Sequence, residues 1–138
     1  MNNFFSTKPF MESCGIAIVR ITVGIFLIYH GHEIFDPAKM KEFANWDQFK
    51  YASSPLFMPY LGKGAELLGG LFLTAGLFTR FACIVIIGTM LYISFFVGSG
   101  KIWFEDQYPF LFALLALVFI FTGPGSLALD KIIFDRKP

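Results

Sequence analysis

Apolar positions along this chain gather into long runs, not into an alternation. Four runs stand out, from Cys14 to Phe35, Tyr60 to Phe78, Phe81 to Ser99 and Tyr108 to Gly123. A membrane-crossing helix needs about 20 mostly apolar residues, and these runs approach or reach that length. None alternates apolar with polar, which argues against barrel strands. The pattern predicts an all-α integral membrane protein. It is a four-helix bundle forming a single transmembrane domain over residues 1–138, with spans at 14–35, 60–78, 81–99 and 108–123. The head, Met1 to Phe10, carries one lysine, and no small-residue cleavage site ends the first run. That run is therefore read as a retained span, not as a signal peptide.

The polar stretches between the runs predict two short interfacial helices. Asp36 followed by Pro37 is a helix start, with a capping side chain and then a proline at the first helical position. Met40, Phe43, Ala44 and Phe49 then make an apolar stripe opposite Lys39, Lys41, Glu42 and Asp47. This predicts a helix lying in the interface plane, ended by Pro55 and Pro59. The second interfacial helix is predicted from Ser126 to Phe134, capped by Ser126, after the break at Gly123-Pro124-Gly125. The Thr79-Arg80 connection is so short that the second and third spans must be antiparallel neighbours.

Composition sharpens the class. Hydrophobic residues make up 56% of 138 and charged ones only 15%, against roughly 25% charged in soluble domains. Mean hydropathy is +0.64. So small a soluble protein would lack the polar residues to cover its surface. A net charge of +1 gives no pull toward nucleic acid. The partner is the lipid bilayer. An even number of spans puts both termini on one side. That side carries Lys8, Arg80, Lys131, Arg136 and Lys137. The other carries Lys39, Lys41, Lys50, Lys63 and Lys101, so positive charge does not set the orientation.

Ionisable groups within apolar spans are functional candidates. Arg20 falls inside the first span and Glu66 inside the second, each within ~4–6 Å of the midplane at helical rise. An Arg20–Glu66 ion pair in the bundle interior is predicted. Gly62, Glu66 and Gly70 share a face, with Gly69 beside it, so Glu66 should face a closely packed helix. His30 closes the first span, and His32, Glu33, Lys63 and Tyr29 are secondary candidates near it. His30 and His32 lie two apart and point about 200° away from each other, so they cannot share a metal, whereas His30 and Glu33, three apart, could; no metal site is assigned. Tyr29, Tyr60, Tyr92, Trp103 and Tyr108 read as an aromatic belt or as the walls of a quinone-sized cleft. Cys14 and Cys83 lie at similar depth, but without a C-x-x-C they read as two isolated small apolar residues.

Several segments together resemble the DoxX family of small four-span bacterial membrane proteins. They are Val19 to Gly31, Gly64-Ala65-Glu66-Leu67-Leu68-Gly69-Gly70, Gly76-Leu77-Phe78-Thr79-Arg80 and Gly123 to Asp130. They cover nearly the whole chain in order. Glu33 stands near where the family usually carries a basic residue after His-Gly. The resemblance implies redox work at a membrane. One branch resembles the quinone-reactive subunit of an archaeal thiosulfate:quinone oxidoreductase. Another is associated with a complex of superoxide dismutase and a sulfurtransferase. It also implies the bacterial inner (cytoplasmic) membrane, with both termini cytoplasmic. Three functions are then open. The first is a redox-associated subunit that binds a quinone between its helices through Arg20, His30 and Glu66, beside a redox partner protein. The second is a non-enzymatic anchor or assembly factor whose contact is the tail, Asp130 to Pro138. The third is a solute or proton pathway, which needs a homo-oligomer; Gly88 and other small residues offer a close-contact face for one.

Overall fold

A computed structural model describes residues 6–135. Met1 to Phe5 lie outside that range, as do Arg136, Lys137 and Pro138 of the expected partner-binding tail. The described residues form six α-helices and no strand. They are α1 (Glu12–Gly31), α2 (Pro37–Ala44), α3 (Phe57–Ala75), α4 (Thr79–Tyr92), α5 (Gln107–Thr122) and α6 (Leu129–Phe134). A 3-10 turn, His32–Phe35, prolongs α1, and a π-helical turn, Ile93–Val97, prolongs α4.

Two helical runs are long and apolar enough to cross a membrane, Glu12–Phe35 and Thr79–Val97. α5 is apolar but shorter, at 16 residues. α3 has 19 residues, but Lys63, Glu66 and its glycines dilute its hydropathy. The long helices pack in series, with α1 on α3, α3 on α4 and α4 on α5. Their meeting faces bury Val23 and Leu27, Leu73, Cys83, Ile86 and Met90, and Ala116 and Phe119. The outer faces are also apolar, with Ile25, Phe26, Phe81, Ile84 and Phe121 all exposed. A helix bundle that is apolar on both faces is built for lipid. Both ends of the described chain meet at one end of the molecule, where the Ser126 amide donates to the Ser13 carbonyl at 2.8 Å.

Glycines set the closeness of α1 and α3. A Cβ at Gly70 would stand 2.8 Å from the Gly24 carbonyl oxygen and the Ile28 amide nitrogen. A Cβ at Gly24 would stand 2.7 Å from the Thr74 amide nitrogen. The helices therefore touch backbone to backbone, as small-residue faces permit. Gly69 meets Ile86 of α4 instead, and Gly62 meets nothing within 4 Å.

The connecting helices depart from expectation. Asp36 does cap α2, accepting from the Ala38 and Lys39 amides at 3.0 and 3.3 Å. The stripe, however, turns inward, and Met40, Ala44 and Phe49 are buried in protein. α2 ends at Ala44, well before Pro55, and Pro59 sits buried in the first turn of α3, where its missing N–H has no intrahelical partner to lose. α6 begins at Leu129, not at Ser126, because Ser126 is drawn onto α1 by its bonds to Ser13. Cys14 and Cys83 are both free thiols.

Candidate functional site

Polar groups collect at two places, one at each end of the bundle. The first is built on Arg20. Its side chain is fully buried, and its guanidinium donates to five backbone carbonyls. Nε reaches Pro124 at 2.7 Å. Nη1 bonds Leu73 and, at 2.9 Å, Thr74. Nη2 reaches Leu127 at 2.9 Å and Ser126 at 3.4 Å. Leu73 and Thr74 end α3, where carbonyls have no helical donor left. Pro124 to Leu127 form the irregular strap after α5. One planar fork of five N–H groups thus ties three segments together.

Local sequence explains the strap. Gly125 has φ +72°, and a Cβ there would come within 2.6 Å of the Ser13 carbonyl oxygen. Gly76 has φ +65° and closes α3, where a Cβ would stand 2.9 Å from Arg20 Nη1. Both positions need glycine for the left-handed backbone and for the close approach. Asp130 completes the knot. Its carboxylate accepts from the Phe78 and Thr79 amides at 2.6 and 2.8 Å, satisfying orphan donors at the start of α4. Sequence reasoning missed Asp130, because its partners lie some fifty residues away.

The expected Arg20–Glu66 ion pair does not form. Arg20 is saturated by carbonyls at the terminal end, and Glu66 finds a nearer cation. Lys63, one helical turn before it, donates to Glu66 Oε2 at 2.9 Å. Lys63 Nζ also lies 3.0 Å from Glu33 Oε2, and Lys39 Nζ lies 2.6 Å from Glu33 Oε1. The sequence Lys39, Glu33, Lys63, Glu66 is therefore a chain of alternating charge running from surface to interior. Lys39 sits at its exposed end, and its ammonium is held above the usual lysine value by the hydrogen bond to Glu33. Glu66 sits at the buried end, at 5% exposure.

Glu66, Lys63 and His30 line one wall of a cleft of about 450 Å³. The volume is in the range of small-molecule sites. The rest of the wall is mostly apolar, with Leu27, Met90 and Phe112 from the long helices. Phe43, Trp46 and Phe49 from α2 and the turns after it close one side. Gln48 fixes that side, donating to the Val97 carbonyl at 2.6 Å. Val97 and Ile93 belong to the π turn, whose wider backbone helps to shape this wall. Gly88 faces the cleft, with nothing within 4 Å of a Cβ.

Of the expected site residues, His30, Glu66 and Lys63 come together here, and Glu33 joins through Lys63. Arg20 does not. Tyr29 and His32 are exposed and outside the cleft lining, with His32 Nδ1 against the Tyr29 carbonyl. Of the aromatic set, Tyr92 and Tyr108 line the cleft, while Trp103 stands exposed. Phe43 and Phe49 were legible as a stripe, but their inward aim was not. Among the described residues, no group of three His, Cys, Asp or Glu side chains is placed to hold a metal.

The DoxX family profile matches residues 15–99, the segment holding Arg20, the charge chain and most of the cleft. A Haemophilus influenzae protein, named only "Uncharacterized protein", is 31% identical over 99% of this chain and 100% of its own length. A Bacillus subtilis protein named "Putative oxidoreductase CatD" is 26% identical over 89% of this chain and 90% of its own. No solved structure matches.

Proposed function

This chain belongs to the DoxX family of membrane proteins, and from that premise we propose that it is a redox-associated membrane subunit holding a quinone-type ring in the cleft beside Glu66. One observation carries the reading. A mostly apolar cleft of about 450 Å³ has three titratable side chains, His30, Lys63 and Glu66, on one wall. Apolar walls suit a lipophilic ring and the start of its tail, while a few polar groups fix the ring's edge. The name of the Bacillus subtilis relative, an oxidoreductase, agrees with redox work.

In this reading all four long helices cross the bacterial cytoplasmic membrane, and both termini face the cytoplasm. The cleft then sits toward the far leaflet, open to a lipid-soluble ligand. Arg20 holds the opposite end together and takes no part in binding. The sequence holds no motif for a cofactor of its own, so electrons pass to or from a redox partner protein.

The test is binding of a short-chain quinone to the full chain in nanodiscs, by calorimetry against empty nanodiscs. Saturable binding that weakens at least about fivefold in His30→Ala, and in Gly88→Leu, which fills the cleft, supports the reading. Absence of saturable binding by both the quinone and its reduced form refutes it. Copurification from native membrane checks the partner: a chain that always emerges alone argues against a redox complex.

A further inference from the structure

Glu66 is the most buried polar group of the cleft wall, and its two carboxylate oxygens are not equivalent. Oε2 accepts from the Lys63 ammonium at 2.9 Å. Oε1 accepts no hydrogen bond from the described residues. As the partner of an ammonium, Glu66 is a carboxylate and can only accept. A carboxylate oxygen on the cleft wall that no protein donor occupies is open to a ligand that brings a donor.

The donors at this end are already committed. Lys63 directs its ammonium at Glu66 Oε2 and at Glu33 Oε2, 3.0 Å away, and lies 5.4 Å from the centre of the Phe43 ring. The Thr89 hydroxyl donates to the Val85 carbonyl at 2.9 Å. The remaining donors of the lining are on His30, Trp46 and Tyr108, which are exposed, and on Tyr92, which is half-buried. At Glu66 the cleft therefore offers an acceptor to a ligand, and its uncommitted donors stand on less buried residues.

Resting on the cleft reading above, we infer that the site selects the reduced, hydroxyl-bearing form of its ligand, a quinol, over the oxidised quinone. A quinol hydroxyl donates to Glu66 Oε1. A quinone carbonyl placed there would set two acceptors face to face. The hydroxyl's bond to a carboxylate is charge-assisted and of the stronger kind.

The experiment compares three ligands with the full chain in nanodiscs, under anaerobic conditions. They are a short-chain quinol, the matching quinone and the quinol's dimethyl ether, which keeps shape but has no donor. The expected result is about tenfold tighter binding of the quinol than of either other ligand, the worth of one charge-assisted bond. In Glu66→Gln the side-chain amide both donates and accepts, so the preference should shrink to within about threefold. The wild-type series stands even if that variant does not fold. Equal binding of quinol and quinone, or tighter binding of the quinone, overturns this inference and leaves the cleft reading standing. Failure of all three to bind overturns both.

Discussion

Replacing Arg20 by methionine keeps much of the aliphatic bulk and removes every donor. Five carbonyl contacts vanish at once, four of them at 2.9 Å or closer. Hydrogen bonds to charged groups contribute roughly 1.5–3 kcal/mol each. A simple sum overstates the loss, because the five share one side chain and water can reach carbonyls at an end of the bundle. Breaking a buried charged network typically costs ~3–5 kcal/mol, and that is the expected loss. For a chain of this size it lowers the unfolding midpoint by about 10–20 °C. Arg20→Lys, with three donors for five carbonyls, should fall about halfway. The assay is thermal unfolding in detergent, followed by circular dichroism, with hydrogen exchange read along Gly123 to Asp130. Exchange there should rise before the rest of the fold loosens. A double-mutant cycle with Glu66→Gln is the sharper arm. Arg20 and Glu66 share no partner, so their effects should add within about 0.5 kcal/mol. A stable Arg20→Met protein with a quiet strap, or rescue of it by Glu66→Gln, refutes the reasoning.

Asp130→Ala should cost about 1–2 kcal/mol in the same unfolding assay, through loss of the bonds to the Phe78 and Thr79 amides; unchanged stability would remove its capping role. Gly24→Ala drives a Cβ against the backbone of α3 and should cost about 1–3 kcal/mol, whereas Gly62→Ala, with open space before it, should be close to neutral. Equal effects at the two glycines would contradict the packing of α1 on α3. Lys39 has its folded value raised by Glu33, so its contribution is complete below the ordinary lysine value of 10.5 and fades as pH climbs past the raised one. The stability difference between wild type and Lys39→Met should be flat through neutral pH and vanish in strong alkali; a difference that instead vanishes on acidification through neutrality would assign it to another group.

The helical runs were legible because apolar runs of this length have few other uses in so short a chain. Even so, α3 and α4 each begin a few residues earlier than hydropathy suggests, since Phe57, Met58 and Thr79 enter the helices. The α2 cap was also legible, because Asp36 and Pro37 act within one turn of themselves. What hydropathy could not show was who pairs with whom. Arg20 and Glu66 have matching depth and opposite sign, yet depth along a helix says nothing about azimuth or competing partners. Lys63 reaches Glu66 from the preceding turn, and Arg20 is claimed by carbonyls, which carry no letter in the sequence. The stripe of Met40, Ala44 and Phe49 shows the same limit. Its periodicity marks an apolar face but does not say whether lipid or protein covers it. Only the packing of α2 against α3 and the 3-10 turn shows that protein covers it.

The Arg20 fork also bears on how the molecule is made. Its carbonyl partners lie 53 to 107 residues further along the chain. While α1 is being made, neither the end of α3 nor the strap yet exists, and the arginine has none of these partners. A charged side chain within an apolar helix is costly to leave unpaired. The Arg20 fork can therefore close on all five carbonyls only after Leu127 has been made, so the lock that holds α1 in place is among the last parts of the fold to form.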